Sequence, residues 1–242
     1  MATGASGSGT ATTANGLGAN GAAAVYASLG YAGNTVVYAA SGGLSISTNG
    51  GATFTNRTTA NGLGSNDVRG VYAVGNTVYA ATSGGLSISN NGVFELLGAS
   101  FTNRTTANGL GNDNVSDVYA VGNTVYAATS NGLSVSTNGG TTFTNRTTTN
   151  GLGSNDVLSV YAVGNTVYAA TYGGGVSIST NGGTNWTNYT TANSGLGGDE
   201  VLDVYVFDGI VYAATIPNYD PNDVTVPTSS GGLSMAASTL LL

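Results

Sequence analysis

The chain contains no cysteine and no histidine, and only 4 of its 242 residues are lysine or arginine. All of these are arginines: Arg57, Arg69, Arg104 and Arg146. Without thiols the chain forms no disulfide, although that absence fixes no compartment. Without His and Cys, the commonest general base, the usual soft metal ligands and the thiol nucleophile are all missing. The 11 acidic residues bring the formal net charge to −7. Four scattered cations cannot build the basic patch that nucleic acid or an anionic membrane surface demands. No apolar run approaches the ~20 residues of a membrane span. Only 6% of residues are charged, against roughly 25% in an average soluble domain. The surface must therefore be made of Thr, Ser, Asn and Gly, which points to an extracellular or cell-surface chain. No secretion signal is legible after Met1, where ATGASGSGTATT has neither a basic start nor an apolar segment.

What is present is repetition. VYAA recurs at Val37, Val78, Val125, Val167 and Val211, inside a unit of about 42 residues whose period marks a solenoid, propeller or array. Within one unit, four strand signals alternate with turn signals. They are DVYAV (Asp117 to Val121), TVYAAT (Thr124 to Thr129), LSVS (Leu133 to Ser136) and TTFTNRTT (Thr141 to Thr148). The third alternates apolar and hydroxyl residues, so one side is expected in a core and the other in water. The paired alanines of the second (Ala80-Ala81, Ala127-Ala128, Ala169-Ala170) suit an inner strand crowded on both faces. No 3.6-residue apolar period appears. These features predict an all-β, five-bladed β-propeller of four-stranded blades, with residues 1–242 as one domain; a β-solenoid is the alternative.

The fifth repeat stops after its third segment. The chain starts with an orphan fourth segment, Ser8 to Ala14, whose alignment on TTANGLG makes Ala11 the counterpart of Arg57 and Ser8 the counterpart of Phe54. The N-terminal strand 8–14 is therefore expected to complete the last blade, either in its own chain or in a neighbour. Thr10 and Thr12 are the candidate contacts in the exchanged form.

The third turn resembles the Asp-box, or BNR, repeat, S-x-D-x-G-x-T-W. It stands here as Ser47-Thr48-Asn49-Gly50-Gly51-Ala52-Thr53-Phe54, and recurs from Ser136 to Phe143 and from Ser179 to Trp186. Asn replaces Asp in every copy, which keeps the turn chemistry and removes charge. The second repeat breaks the pattern after Gly92, and the fifth lacks the turn. The resemblance implies a propeller architecture. Its members include sialidases, other glycoside hydrolases, lectins and proteins without catalysis, so it fixes no activity.

Catalysis is not expected. Arg57, Arg104 and Arg146 are repeat equivalents spread around the ring, so they cannot converge on a substrate carboxylate. The loops after segments two and four share one face and carry Asp67, Asp113, Asp156 and Asp199. Together with Tyr172 and Tyr219 these are the candidate ligand-binding residues, with Ca²⁺ as a weak possibility because carboxylates suit hard cations. The alternative is a solvated face that uses Asp and Asn for turn chemistry. Phe94, Leu96 and Leu97, in an insertion on the opposite face, are candidate assembly contacts. Sequons at Asn56, Asn103, Asn145 and Asn188 are candidate glycosylation sites.

Two functions follow. One is a non-enzymatic extracellular or cell-surface structural propeller, self-assembling into a filament or surface layer through N-terminal strand exchange. The alternative is a multivalent carbohydrate-binding lectin. The partners are accordingly further copies of the chain or surface glycans, without nucleic acid, membrane insertion, bound metal or cofactor.

Overall fold

The computed structural model describes residues 11–29, 33–90, 100–220, 223–227 and 232–237. The first sheet comprises β1 (Ala24–Leu29), β2 (Thr35–Ala40), β3 (Leu44–Ser47) and β4 (Thr55–Arg57). The second comprises β5 (Val68–Val74), β6 (Thr77–Thr82), β7 (Gly85–Ser89) and β8 (Thr102–Arg104). The third comprises β9 (Val115–Val121), β10 (Thr124–Thr129), β11 (Gly132–Ser136) and β12 (Thr144–Arg146). The fourth comprises β13 (Val157–Val163), β14 (Thr166–Thr171), β15 (Gly175–Ser179) and β16 (Thr187–Tyr189). The fifth begins with β17 (Glu200–Phe207) and β18 (Ile210–Ile216). After a separate hairpin, β19 (Tyr219–Asp220) and β20 (Asp223–Pro227), it ends with β21 (Gly232–Ala237). All neighbours pair antiparallel, and each sheet runs in sequence order. The architecture is therefore all-β, with five sheets consistent with propeller blades.

The turns behave as their residues dictate. In the first sheet the Ser47 hydroxyl donates to Asn49 Oδ1 at 2.8 Å and accepts from Gly51 N at 2.9 Å, while Asn49 Oδ1 also accepts from Thr53 N at 3.0 Å. The same pattern closes the turns at Ser136/Asn138 and Ser179/Asn181. Gly50 sits at φ 69° and Gly51 at φ 95°, a region that a side chain rarely adopts.

The core is divided into joints between consecutive sheets. Tyr38, Leu44 and Ile46 of the first sheet pack with Leu63, Val71, Val78 and Phe101 of the second. The arrangement repeats with Leu86, Ile88, Val118 and Phe143, then with Leu133, Val135 and Val160, then with Val176, Ile178 and Val204. The chain also crosses each joint, because a short turn after one sheet's last strand docks on the next sheet. Gly109 shows how closely: a Cβ there would lie 2.1 Å from the Phe143 carbonyl oxygen. Arg104 adds a polar tie, its Nε donating to Gly140 O at 2.9 Å.

The expected completion of the fifth blade is not formed within the described residues. Its sheet has three strands there. Ala11, which alignment sets opposite Leu233, lies in no strand, and Thr13–Asn15 form a 3-10 turn rather than a strand. Aligned on β4 (Thr55–Arg57), the expected strand corresponds to residues 9–11, and residues 9 and 10 lie outside the described residues. The Thr12 hydroxyl accepts from Ala14 N at 3.3 Å, Asn15 Oδ1 accepts from Thr12 N at 3.1 Å, and Gly16 ends the turn at φ 90°. The same turn follows β4, β8 and β12. Its next step is also the usual one, since Phe54 N donates to Asn15 O at 2.7 Å, as Phe101 N does to Asn61 O at 2.9 Å. Thr10, Phe94, Leu96 and Leu97 lie outside the described residues.

Candidate functional site

The first strand of each sheet brings one tyrosine to a common funnel: Tyr26, Tyr72, Tyr119, Tyr161 and Tyr205. Successive rings lie 5.0, 4.4, 4.7 and 4.8 Å apart between centroids, close enough for tilted aromatic packing. The cavity they line measures about 420 Å³, within the usual range for a small-molecule site. Burial and the neighbouring phenol push the Tyr26 hydroxyl up to about 12. Tyr119 is raised further, first by burial and then by Tyr72 and Tyr161 on either side. Tyr26 and Tyr119 therefore stay neutral at physiological pH, and the five side chains offer hydroxyls and ring faces.

Below the tyrosines lies a polar cluster that depends on β-bulges. Pairing slips by one residue between Val68 and Gly70, Val115 and Asp117, Val157 and Ser159, and Val201 and Asp203. A bulge re-aims the side chain that follows it. Here it brings Asp117, Ser159 and Asp203, from three successive sheets, into contact. The Ser159 hydroxyl lies 2.7 Å from Asp203 Oδ1 and 3.1 Å from Asp117 Oδ2. Asp117 also accepts from Val118 N at 2.8 Å and Val160 N at 3.1 Å. At the equivalent place in the second sheet a Cβ on Gly70 would lie 2.9 Å from Asp117 Oδ1, so a small residue keeps the carboxylate in its seat.

Asp117 is pushed up to about 6, chiefly because its carboxylate is sunk in the funnel wall and loses water; the charge of Asp203 adds to this. Its residue surface still keeps partial contact with the channel. Ser159 has one proton for two acceptors. A protonated Asp117 supplies the missing donor, and the relay Asp117 to Ser159 to Asp203 is then fully satisfied.

The residues singled out from sequence have other work. Asp113 Oδ1 accepts from Thr106 N at 2.7 Å, and Asp199 Oδ1 accepts from Thr191 N at 2.7 Å. In the other repeats asparagines fill this role: Asn66 toward Thr59 and Asn155 toward Thr148. These aspartates clamp turns, which is the alternative reading of the acidic face. Asp67 pairs with Arg69 at 2.9 Å in the open. Asp156 meets Tyr172 through backbone, with Tyr172 N donating to Asp156 O at 2.9 Å. Tyr172 is exposed, and Tyr219 falls in β19. Among the described residues no group of three or more His, Cys, Asp or Glu is arranged to hold a metal ion.

The sequon asparagines are structural pins. Asn103 Nδ2 donates to Gly84 O at 2.7 Å and its Oδ1 accepts from the Ser87 hydroxyl at 3.1 Å. Asn56, Asn145 and Asn188 bond equivalently to Ser45, Ser134 and Ser177 and to loop carbonyls. The nitrogen a glycan would occupy is engaged in the folded chain at all four.

Asp117, Ser159 and Asp203 escaped sequence reading. Their signal was a column occupied by Gly70, Asp117, Ser159 and Asp203 just before the copied Val-Tyr pair. Variation inside a copied strand marks that position, but only the bulge shows that it faces the funnel.

No protein-family model matches the chain, and no curated protein matches it. Solved structures do. An extracellular domain of a putative hybrid two component system from B. thetaiotaomicron is similar with TM-score 0.61 and 16% identity, over 88% of this chain and 33% of that one. An ancestral GH74 enzyme is similar with TM-score 0.59 and 23% identity, over 89% of this chain and 31% of that one. YCF48 from Cyanidioschyzon merolae is similar with TM-score 0.50 and 14% identity, over 87% and 70%. The chain spans about a third of the length of the first two. At these identities the likeness shows the fold alone, a propeller-like array of antiparallel sheets.

Proposed function

We propose that the protein is a non-enzymatic interaction module of the extracellular or cell-surface kind, built of repeats akin to the Asp-box. In this reading it joins copies of itself, a neighbour's N-terminal segment completing the fifth sheet. The observation that carries the reading is the open edge of β21. β3, β7, β11 and β15 each pair with a fourth strand, whereas β21 pairs only with β18 among the described residues. A companion feature supports it. Phe101, Phe143 and Trp186 each pack at a joint with the preceding sheet. Among the described residues the fourth sheet receives no such aromatic, and a cavity of about 360 Å³ lies beside Ile178, Trp186 and Tyr189.

The surface placement rests on the nearly uncharged exterior, and the similar extracellular domain is in keeping with it. Absence of catalysis is supported by the polar cluster, where Ser159 fills the gap between the two carboxylates. A glycosidic bond needs that space. The test is sedimentation velocity over a wide concentration range, with and without residues 1–10. Assemblies that vanish on truncation are expected; assemblies indifferent to truncation refute strand completion.

A second reading is carbohydrate binding, favoured by the five tyrosines of the funnel. Ring faces and hydroxyls at one mouth suit sugar stacking. A glycan screen with the Tyr205→Ala variant tests it, since that ring ends the series and is 49% exposed. Absence of binding at millimolar glycan removes this reading.

A further inference from the structure

The two ends of the array expose matched halves of a joint. In the four formed joints, the positions equivalent to Leu233 (Leu44, Leu86, Leu133, Val176) are at most 2% exposed. Leu233 and Met235 are each 65% exposed, and Phe207 on the same face is 64% exposed. At the other end the positions equivalent to Val25 (Val71, Val118, Val160, Val204) are at most 8% exposed. Val25 is 66% exposed and Leu29 80%. Strand β1 alternates with its apolar side, Val25, Ala27 and Leu29, turned to solvent.

We infer that the trailing face of the fifth sheet (Phe207, Leu233, Met235) binds the leading face of the first sheet (Val25, Ala27, Leu29) of a second copy, head to tail. This rests on the self-joining reading above and names the contact surface that reading lacks. The complementarity is given by the chain itself, because the formed joints are built from these same paired positions. A second copy is favoured over closure within the chain for a geometric reason. The joints are near-uniform, with first-strand tyrosines 4.4 to 5.0 Å apart. After four of them both end faces are still open to solvent. Among the described residues no core cluster joins the fifth sheet to the first, so a fifth joint of the same kind is left for a second molecule to supply. Such a heterologous contact gives a ring if the accumulated rotation closes and a filament if it does not.

The experiment uses the full chain with Val25→Asp and Met235→Asp, each at an exposed position, with circular dichroism to confirm folding. Sedimentation velocity of each single variant is expected to show association weakened about tenfold or more, because the joint would bury an unpaired carboxylate. Mixing the two variants is decisive. Each retains one intact face, so a 1:1 mixture should form dimers and stop there. A wild type that stays monomeric, or folded single variants that assemble as well as wild type, overturns the inference. A mixture that stays monomeric overturns it as well, by showing that the faces do not bind each other. Assembly lost on deleting residues 1–10 but kept in both Asp variants would uphold strand completion while refuting the face contact.

Discussion

Replacing Asp117 by Asn should make the protein less sensitive to pH. The carboxyl rises from an ordinary value of 3.8 to about 6 in the folded chain. Between those values the folded state binds the proton more tightly than the unfolded state, so stability falls as pH rises through that window. Each pK unit is worth about 1.4 kcal/mol, and the difference of about two units amounts to about 3 kcal/mol. Contact with the channel trims this to about 2–3 kcal/mol. Asn keeps Oδ1 as the acceptor for Val118 N and turns an amide donor toward Ser159, while Val160 N loses the oxygen it bonds in the wild type, a cost that does not change with pH. Urea unfolding of both proteins from pH 4 to pH 8 measures the effect. The wild type should lose about 2–3 kcal/mol relative to the variant across the range, whatever the offset between the two at pH 4. Between pH 4 and pH 8 the wild type's thermal midpoint should fall by about 5–10 °C more than the variant's. Parallel pH curves for the two proteins would refute the account of Asp117 as a buried acid held near neutrality.

Leu133→Ala removes a side chain with no exposure from a formed joint and should cost about 2–5 kcal/mol; Leu233→Ala, at the open end, should change the monomer by less than about 0.5 kcal/mol, both read by urea unfolding at low protein concentration. Asn145→Ala removes the bonds to Ser134 and to Asn131 O and should destabilise by about 1–3 kcal/mol; glycan mapping of the chain expressed in a glycosylating host should find Asn145 unmodified in the folded fraction. Gly109→Ala should be among the most damaging small changes, because φ is 93° and a Cβ would overlap the Phe143 carbonyl. Gly75→Ala has φ 56° but open space around it, and should cost only about 1 kcal/mol; thermal melts of the pair separate contact from conformation.

The sequence by itself determined the local structure. Turn residues copied in each unit set the hairpins, because their effects act within a few residues. The alternation of LSVS placed Leu133 and Val135 in the core, but Ser134 and Ser136, expected in water, are buried as well, since Ser134 bonds Gly111 N and Asn145 and Ser136 bonds its own turn. The clamp roles of Asp113 and Asp199 were legible as well, since asparagines occupy the same position in other repeats. Tertiary structure decided the rest. Whether Leu233 is core or surface depends on what lies across the next joint, which its own strand cannot specify. The meeting of Asp117, Ser159 and Asp203 depends on three bulges and on the rotation between sheets. Both are set by packing between units, so a repeat read alone does not contain them.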